Sequence, residues 1–159
     1  MAEEQNVLKE LLLSMYRESV GQCRHHETQR ATVTSAMITV YTFIIGLITF
    51  DKAITRADIP LLLFLIVLGA FGATFTLKHY ERYRLHQQRS REYRNALDAL
   101  FANNLIFELK QKADGINEKK FPYLKRLHHS YWWAALHGFV TFLGIILIVI
   151  AIFSPYKSA

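Results

Sequence analysis

Residues 130–153 read SYWWAALHGFVTFLGIILIVIAIF, twenty-four residues without one Asp, Glu, Lys or Arg. At 1.5 Å per residue an apolar run near twenty residues makes a helix of about 30 Å, the thickness of a bilayer's hydrocarbon core. Two further stretches are equally free of charge: ATVTSAMITVYTFIIGLITF at 31–50 and IPLLLFLIVLGAFGATFTL at 59–77. The chain has 159 residues, 52% of them hydrophobic and 20% charged. Its mean hydropathy of +0.12 hides this segregation. Three such runs exclude a soluble globular domain, and the apolar content excludes disorder. The single cysteine, Cys23, leaves no internal disulfide to form. Residues 1–30 hold acids and no early apolar core, so they do not read as a cleaved signal peptide. The expected fold is an all-α integral membrane protein: three transmembrane helices, 31–50, 59–77 and 131–153, with helical cytoplasmic extensions.

Charge orients the spans. Of the nineteen Lys and Arg residues, four lie in 1–30 and twelve in 78–134, leaving Lys52, Arg56 and Lys157 for the opposite face. Positive residues stay on the cytoplasmic side of short flanking segments. The N-terminus is therefore expected in the cytoplasm of a bacterial inner membrane, loop 51–58 and the C-terminus outside, and 78–130 inside as a basic helical segment.

Val7, Leu8, Leu11, Leu12, Met15 and Tyr16 recur at helical spacing and predict an amphipathic cytoplasmic helix over 4–30. With no proline before residue 50, that helix and the first span can run on as one. Asp51 and Asp58 bracket a short outer turn, and Pro60 suits the first turn of the second span. No proline interrupts Leu61 to Lys112. Asp114-Gly115 predicts a stop, and Pro122 the start of the last helix. An unbroken helix of that length is much longer than its returning partner. Either the loop 113–121 climbs as extended chain, or the long helix breaks near Asn103-Asn104.

Within the first span, Thr32, Ser35, Thr39, Thr42, Gly46 and Thr49 recur at alternating spacings of three and four. That keeps one face toward a neighbour in a left-handed bundle. Two readings follow: close helix packing with hydroxyls bonded to their own backbone, or the wall of a pore. One chain with three spans cannot enclose a pore, so the second reading requires a homo-oligomer, a tetramer being favoured. Thr32, Ser35, Thr39, Thr42, Ile44 and Thr49 are its candidate lining, with Val40 and Phe43 narrowing the path. Gly69 and Ala73 offer a small-xxx-small contact in the second span. His137, just beyond the belt of Tyr131, Trp132 and Trp133, is the titratable group of the third span. It reads as a satisfied interfacial histidine or as a functional intramembrane one. The spans hold no mid-depth carboxylate, which argues against a secondary transporter.

Residues 78–94 read KHYERYRLHQQRSREYR. Lys78, Arg82, His86 and Arg89 fall along one stripe, and Arg84, Arg91 and Arg94 along another, with Tyr83 and Tyr93 among them. Lys119, Lys120, Lys125 and Arg126 repeat the pattern beside Phe121 and Tyr123. Cations for phosphates and ring faces for bases are what single-stranded nucleic acid needs. The plainer reading is the ordinary excess of positive charge beside anionic lipid. Cys23, His25 and His26 do not match a zinc spacing, so no metal and no cofactor is expected. No nucleophile elbow, zincin or Walker motif is present, so an enzyme is not expected.

The second span running into HQQRSREYRNAL at 86–97 resembles the small membrane effectors of bacterial antiphage systems. The Hailong-type channel protein and the SLATT-like effectors are the similar families. The third span, 131–153, has no counterpart in the two-span SLATT form. The resemblance covers about 31–100. It implies a homo-oligomeric pore that depolarises the membrane and is gated by a short single-stranded DNA or a nucleotide-derived ligand. The basic helix 78–94 would be its ligand contact and the first-span stripe its pore lining. The reading from another class is a membrane anchor or scaffold that docks a cytoplasmic protein through its helical extension.

Overall fold

The computed structural model describes residues 2–50, 53–101, 104–123 and 129–154. Among the described residues, four α-helices and one 3-10 turn, Arg56–Asp58, follow one another: α1, Ala2–Thr49; α2, Ile59–Asp98; α3, Leu105–Lys120; and α4, His129–Phe153. No strand occurs among the described residues. Three helices, α1, α2 and α4, are long and apolar enough to cross a membrane. The chain divides into two compact units, one built from 2–28 with 80–123, the other from 29–79 with 129–154.

In the second unit, each helix presents a row at alternating spacings of three and four. The rows are Thr34, Met37, Tyr41, Ile44 and Ile48 on α1, and Leu62, Leu65, Gly69, Gly72 and Thr76 on α2. On α4 they are His137, Val140, Gly144 and Ala151, and all fourteen residues are buried. A 3.5-residue period keeps three rows in register along a left-handed bundle. Gly69 and Gly144 make the fit possible. A Cβ on Gly69 would stand 2.5 Å from Thr141 Oγ1 and 3.0 Å from its backbone nitrogen, and one on Gly144 would stand 2.7 Å from Ile66. Gly69 of the small-xxx-small pair thus makes its close contact with α4 of its own chain. The outside of this unit is apolar: Phe43, Phe64, Val67, Phe71, Phe139 and Phe142 are all more than half exposed. Polar Thr34, Thr76 and His137 are fully buried beneath that coat. Burial by apolar attraction in water would sort these residues the other way round. At the turn between α1 and α2, the Asp58 carboxylate accepts from the Thr55 N–H at 2.8 Å and its hydroxyl at 3.0 Å.

In the first unit, α2 ends at Asp98. The long helix therefore breaks in the region of Asn103-Asn104, as the second of the two sequence alternatives has it. Asn104 takes a left-handed conformation, φ 43°, which asparagine tolerates better than most residues. Asp98, 5% exposed, turns its carboxylate onto the start of α3. The N–H groups of Ile106 and Phe107 donate to its two oxygens at 3.0 and 2.9 Å. These are two of the four amides a helix start leaves unpaired, and a charged acceptor suits the positive end of the helix dipole. Asp98→Ala should cost about 2 kcal/mol and release α3. Hydrogen exchange at 105–108 should then accelerate while α4 stays protected.

The expected stop at Asp114-Gly115 is wrong. Helix α3 passes through both residues to Lys120. Gly115 keeps a negative φ, and Asp114 pairs with Lys110 one turn back at 2.6 Å. A helical glycine costs only about 1 kcal/mol against alanine, and nothing here requires the left-handed conformation that would stop a helix. Pro122 lies in a turn after α3 and does not start a helix; α4 is described from His129 onward.

Candidate functional site

Helix α2 displays its cations unevenly. Arg82, Arg89 and Arg91 are exposed, while Tyr83, Arg84, His86, Tyr93 and Arg94 are half-buried. Arg82 and Arg89, seven residues apart, share one line. Arg84 and Arg91 share another, about 200° around the helix at 100° per residue. The two stripes are therefore on nearly opposite sides and do not form a single face. Arg84 donates to Gln87 Oε1 at 3.4 Å, and Gln87 donates to the Tyr83 hydroxyl at 3.2 Å. The His86 ring stacks on His26, centroids 5.5 Å apart. Three arginines are thus left to meet a polyanion, and the tyrosines are partly withdrawn. Lys78 is exposed on the same helix, and Lys119 and Lys120 are exposed at the end of α3, Lys120 over the Phe121 ring. Lys125 and Arg126 lie outside the described residues.

Cys23 donates to the Tyr83 carbonyl at 3.7 Å. Burial pushes its thiol above the ordinary range, and Glu27 adds to the shift. Among the described residues no group of three His, Cys, Asp or Glu side chains is placed to hold a metal ion.

On α1 the row Thr32, Ser35, Thr39, Thr42, Gly46 and Thr49 is exposed along its whole length. Thr39, Thr42 and Thr49 donate to the carbonyls of Ser35, Ile38 and Ile45 at 3.2, 2.9 and 2.9 Å. Each hydroxyl is satisfied within its own helix and still offers oxygen lone pairs outward. Ile44, grouped with this row as lining, points the other way and is 4% exposed in the core. Two residues beyond Thr42, it stands about 200° around the helix. Val40 and Phe43 are on the exposed side.

No family model matches this chain, nor does any curated protein or solved structure.

A third constellation joins all three helices of the second unit. His137 is fully buried in the bundle. Its Nε2 lies 3.2 Å from Thr34 Oγ1 and its Nδ1 2.8 Å from the Tyr41 hydroxyl. Tyr41 also reaches the Leu68 carbonyl at 3.3 Å. Gly72 leaves the space that the imidazole fills. The histidine is fully partnered, as the satisfied reading has it, but by residues that sequence reasoning did not connect. The available signal was the 3.5-residue row carrying Thr34 and Tyr41, on the side of α1 away from the hydroxyl stripe.

Proposed function

We propose that the chain is an integral protein of the bacterial inner membrane, N-terminus inside and C-terminus outside. It assembles into a cyclic homo-oligomer, a tetramer being favoured, and conducts ions along a path lined by the α1 hydroxyl row. A short single-stranded DNA or nucleotide-derived ligand at the exposed arginines of α2 gates it, in the manner implied by its resemblance to antiphage membrane effectors. One observation carries this reading. In a unit whose exterior is mostly apolar, with Thr74 a lone exposed hydroxyl on α2, Thr32, Ser35, Thr39, Thr42 and Thr49 face outward in one continuous row. Lipid has no use for hydroxyls, whereas neighbouring copies bring such rows together, and cyclic symmetry closes them around an axis. Between the hydroxyls, Phe43 narrows the path, while Val40, two residues before Thr42, stands about 200° around the helix from it; an apolar constriction holds back ions by excluding water. A ligand opens or closes it only by binding one state better than the other.

The scaffold reading has its own support. Helix α3 buries no residue, and Leu105, Leu109 and Ile116 are more than half exposed. Ion flux from liposomes separates the two readings. A channel releases a trapped monovalent cation at a rate that changes when a short oligonucleotide is added on the side of α2's arginines. A scaffold releases none under any condition.

A further inference from the structure

The Thr34–His137–Tyr41 set does not end with its three members. Thr76 lies one turn past Gly72 on the same buried row, is 0% exposed, and its hydroxyl has no hydrogen-bond partner. Arg30 lies one turn before Thr34 on the same side of α1 and is 6% exposed. Buried hydroxyls without a protein partner are where internal water binds. Beyond Tyr41, the row changes character: Ile44, Ile48, Leu62, Leu65 and Ala151 pack a core with no polar side chain. The bundle is thus polar at the end of Arg30 and Thr76, and dry at the other.

We propose that His137 is a proton-binding site in the interior of the three-helix bundle, reached through water held at the Thr76 hydroxyl. This rests on the membrane placement proposed above, not on the assembly or its ligand. The geometry accepts the proton with no movement beyond rotation of two hydroxyl hydrogens. A hydronium gives one proton to the hydroxyl that is bonded to the unprotonated ring nitrogen, that hydroxyl passes its own hydrogen to the nitrogen, and the hydronium leaves as water. The imidazolium then donates from both nitrogens, to Thr34 Oγ1 and to the Tyr41 hydroxyl oxygen. Both acceptors can turn their own hydrogens away, Tyr41 to the Leu68 carbonyl and Thr34 to a carbonyl of the preceding turn, as helical threonines do. The relay ends at Leu68, because a peptide carbonyl accepts a hydrogen bond but does not pass a proton on.

The charged surroundings keep binding reversible. From α1 the ring is faced by Tyr41, with Arg30 one turn beyond Thr34. From α2 it meets Gly69 and Gly72, neither titratable, and His79 follows Thr76 with its ring 4.1 Å from Phe75. On α4 the other titratable side chain among the described residues with a placed side chain is Tyr131, exposed at the helix start. The one carboxylate among the described residues of this unit is Asp58, held by Thr55. No acid is placed to trap the proton, and intramembrane histidines in such settings serve proton relays.

Two measurements test this. In proteoliposomes with a trapped pH dye, the native chain sets the baseline proton leak, against which the variants are compared. Leu65→Ser, which puts a hydroxyl into the dry half one turn from Gly69, should leak protons. Leu65→Ser with His137→Phe should leak about tenfold less, since the relay then lacks its titratable member. An equal leak in the double variant, or no leak from a folded Leu65→Ser protein, overturns the site. In a Cys23→Ser background, Thr76→Cys should react with a small hydrophilic thiol reagent about tenfold faster than Leu65→Cys, because reactivity follows water access. Equal rates overturn it. Carbonate-resistant membrane association is scored on the same samples. Its loss overturns the membrane placement and this site with it, whereas a resistant protein with equal rates overturns the site alone.

Discussion

Replacing Arg82, Arg89 and Arg91 together by Glu should abolish binding of a short single-stranded DNA. These are the exposed guanidiniums between 80 and 98, and reversing them turns three attractive contacts into three repulsive ones. Each neutralised phosphate releases condensed counterions, with a slope near −0.7 per contact for single strands, so three contacts predict about 100-fold weaker native binding for a tenfold rise in salt. Arg84→Glu should do much less to the contact itself, because that side chain is already bonded to Gln87. Fluorescence anisotropy with a labelled oligonucleotide reads both effects. Binding that is insensitive to salt, or unchanged in the triple variant, would place the ligand elsewhere or remove it from the account. The two arginine lines are on nearly opposite sides of α2, so single reversals in either line should each give part of the loss.

Gly69→Leu should be the most damaging single substitution in the spans. Even a Cβ at this position stands 3.0 Å from the Thr141 nitrogen and 3.1 Å from the His137 carbonyl. Both are backbone atoms, which cannot swing aside as a side chain would. Helices α2 and α4 must separate, and the strain exceeds the roughly 1–3 kcal/mol typical of overpacking a core. Separation also carries His137 away from Thr34 and Tyr41. The expected result is aggregation in detergent or a large fall in the thermal midpoint. Gly21→Ala is the control: nothing lies within 4 Å of a Cβ there, and alanine gains about 1 kcal/mol of helix propensity. If Gly69→Leu melts like the native protein, the packing of α2 on α4 is wrong.

The three long apolar helices were legible because charge-free runs of this length have few other meanings. Rotation about each span was not. In the first span hydroxyl residues fall on both sides of the helix, so hydrophobic periodicity carries little contrast, and the 3.5-residue row of Thr34, Met37, Tyr41, Ile44 and Ile48 is only a faint signal against the hydroxyl row on the other side. Ile44 was accordingly placed on the wrong side of α1. The break after Asp98 depends on a carboxylate reaching Ile106 and Phe107, eight and nine residues ahead, beyond the reach of local capping patterns. Gly115 looked like a stop because glycine permits one, but permission is not requirement. His137 stood out as titratable, while its partners were separated from it by 103 and 96 residues.

The central claim is that copies of this chain meet along the α1 hydroxyl row to close an ion path. Native mass measurement of the complex extracted in mild detergent tests it most directly. The account predicts a single closed species at a small multiple of 18.5 kDa, four copies being favoured, which Thr39→Leu breaks down to smaller species. A native protein that runs as a monomer, or an oligomer that Thr39→Leu leaves intact, would contradict it.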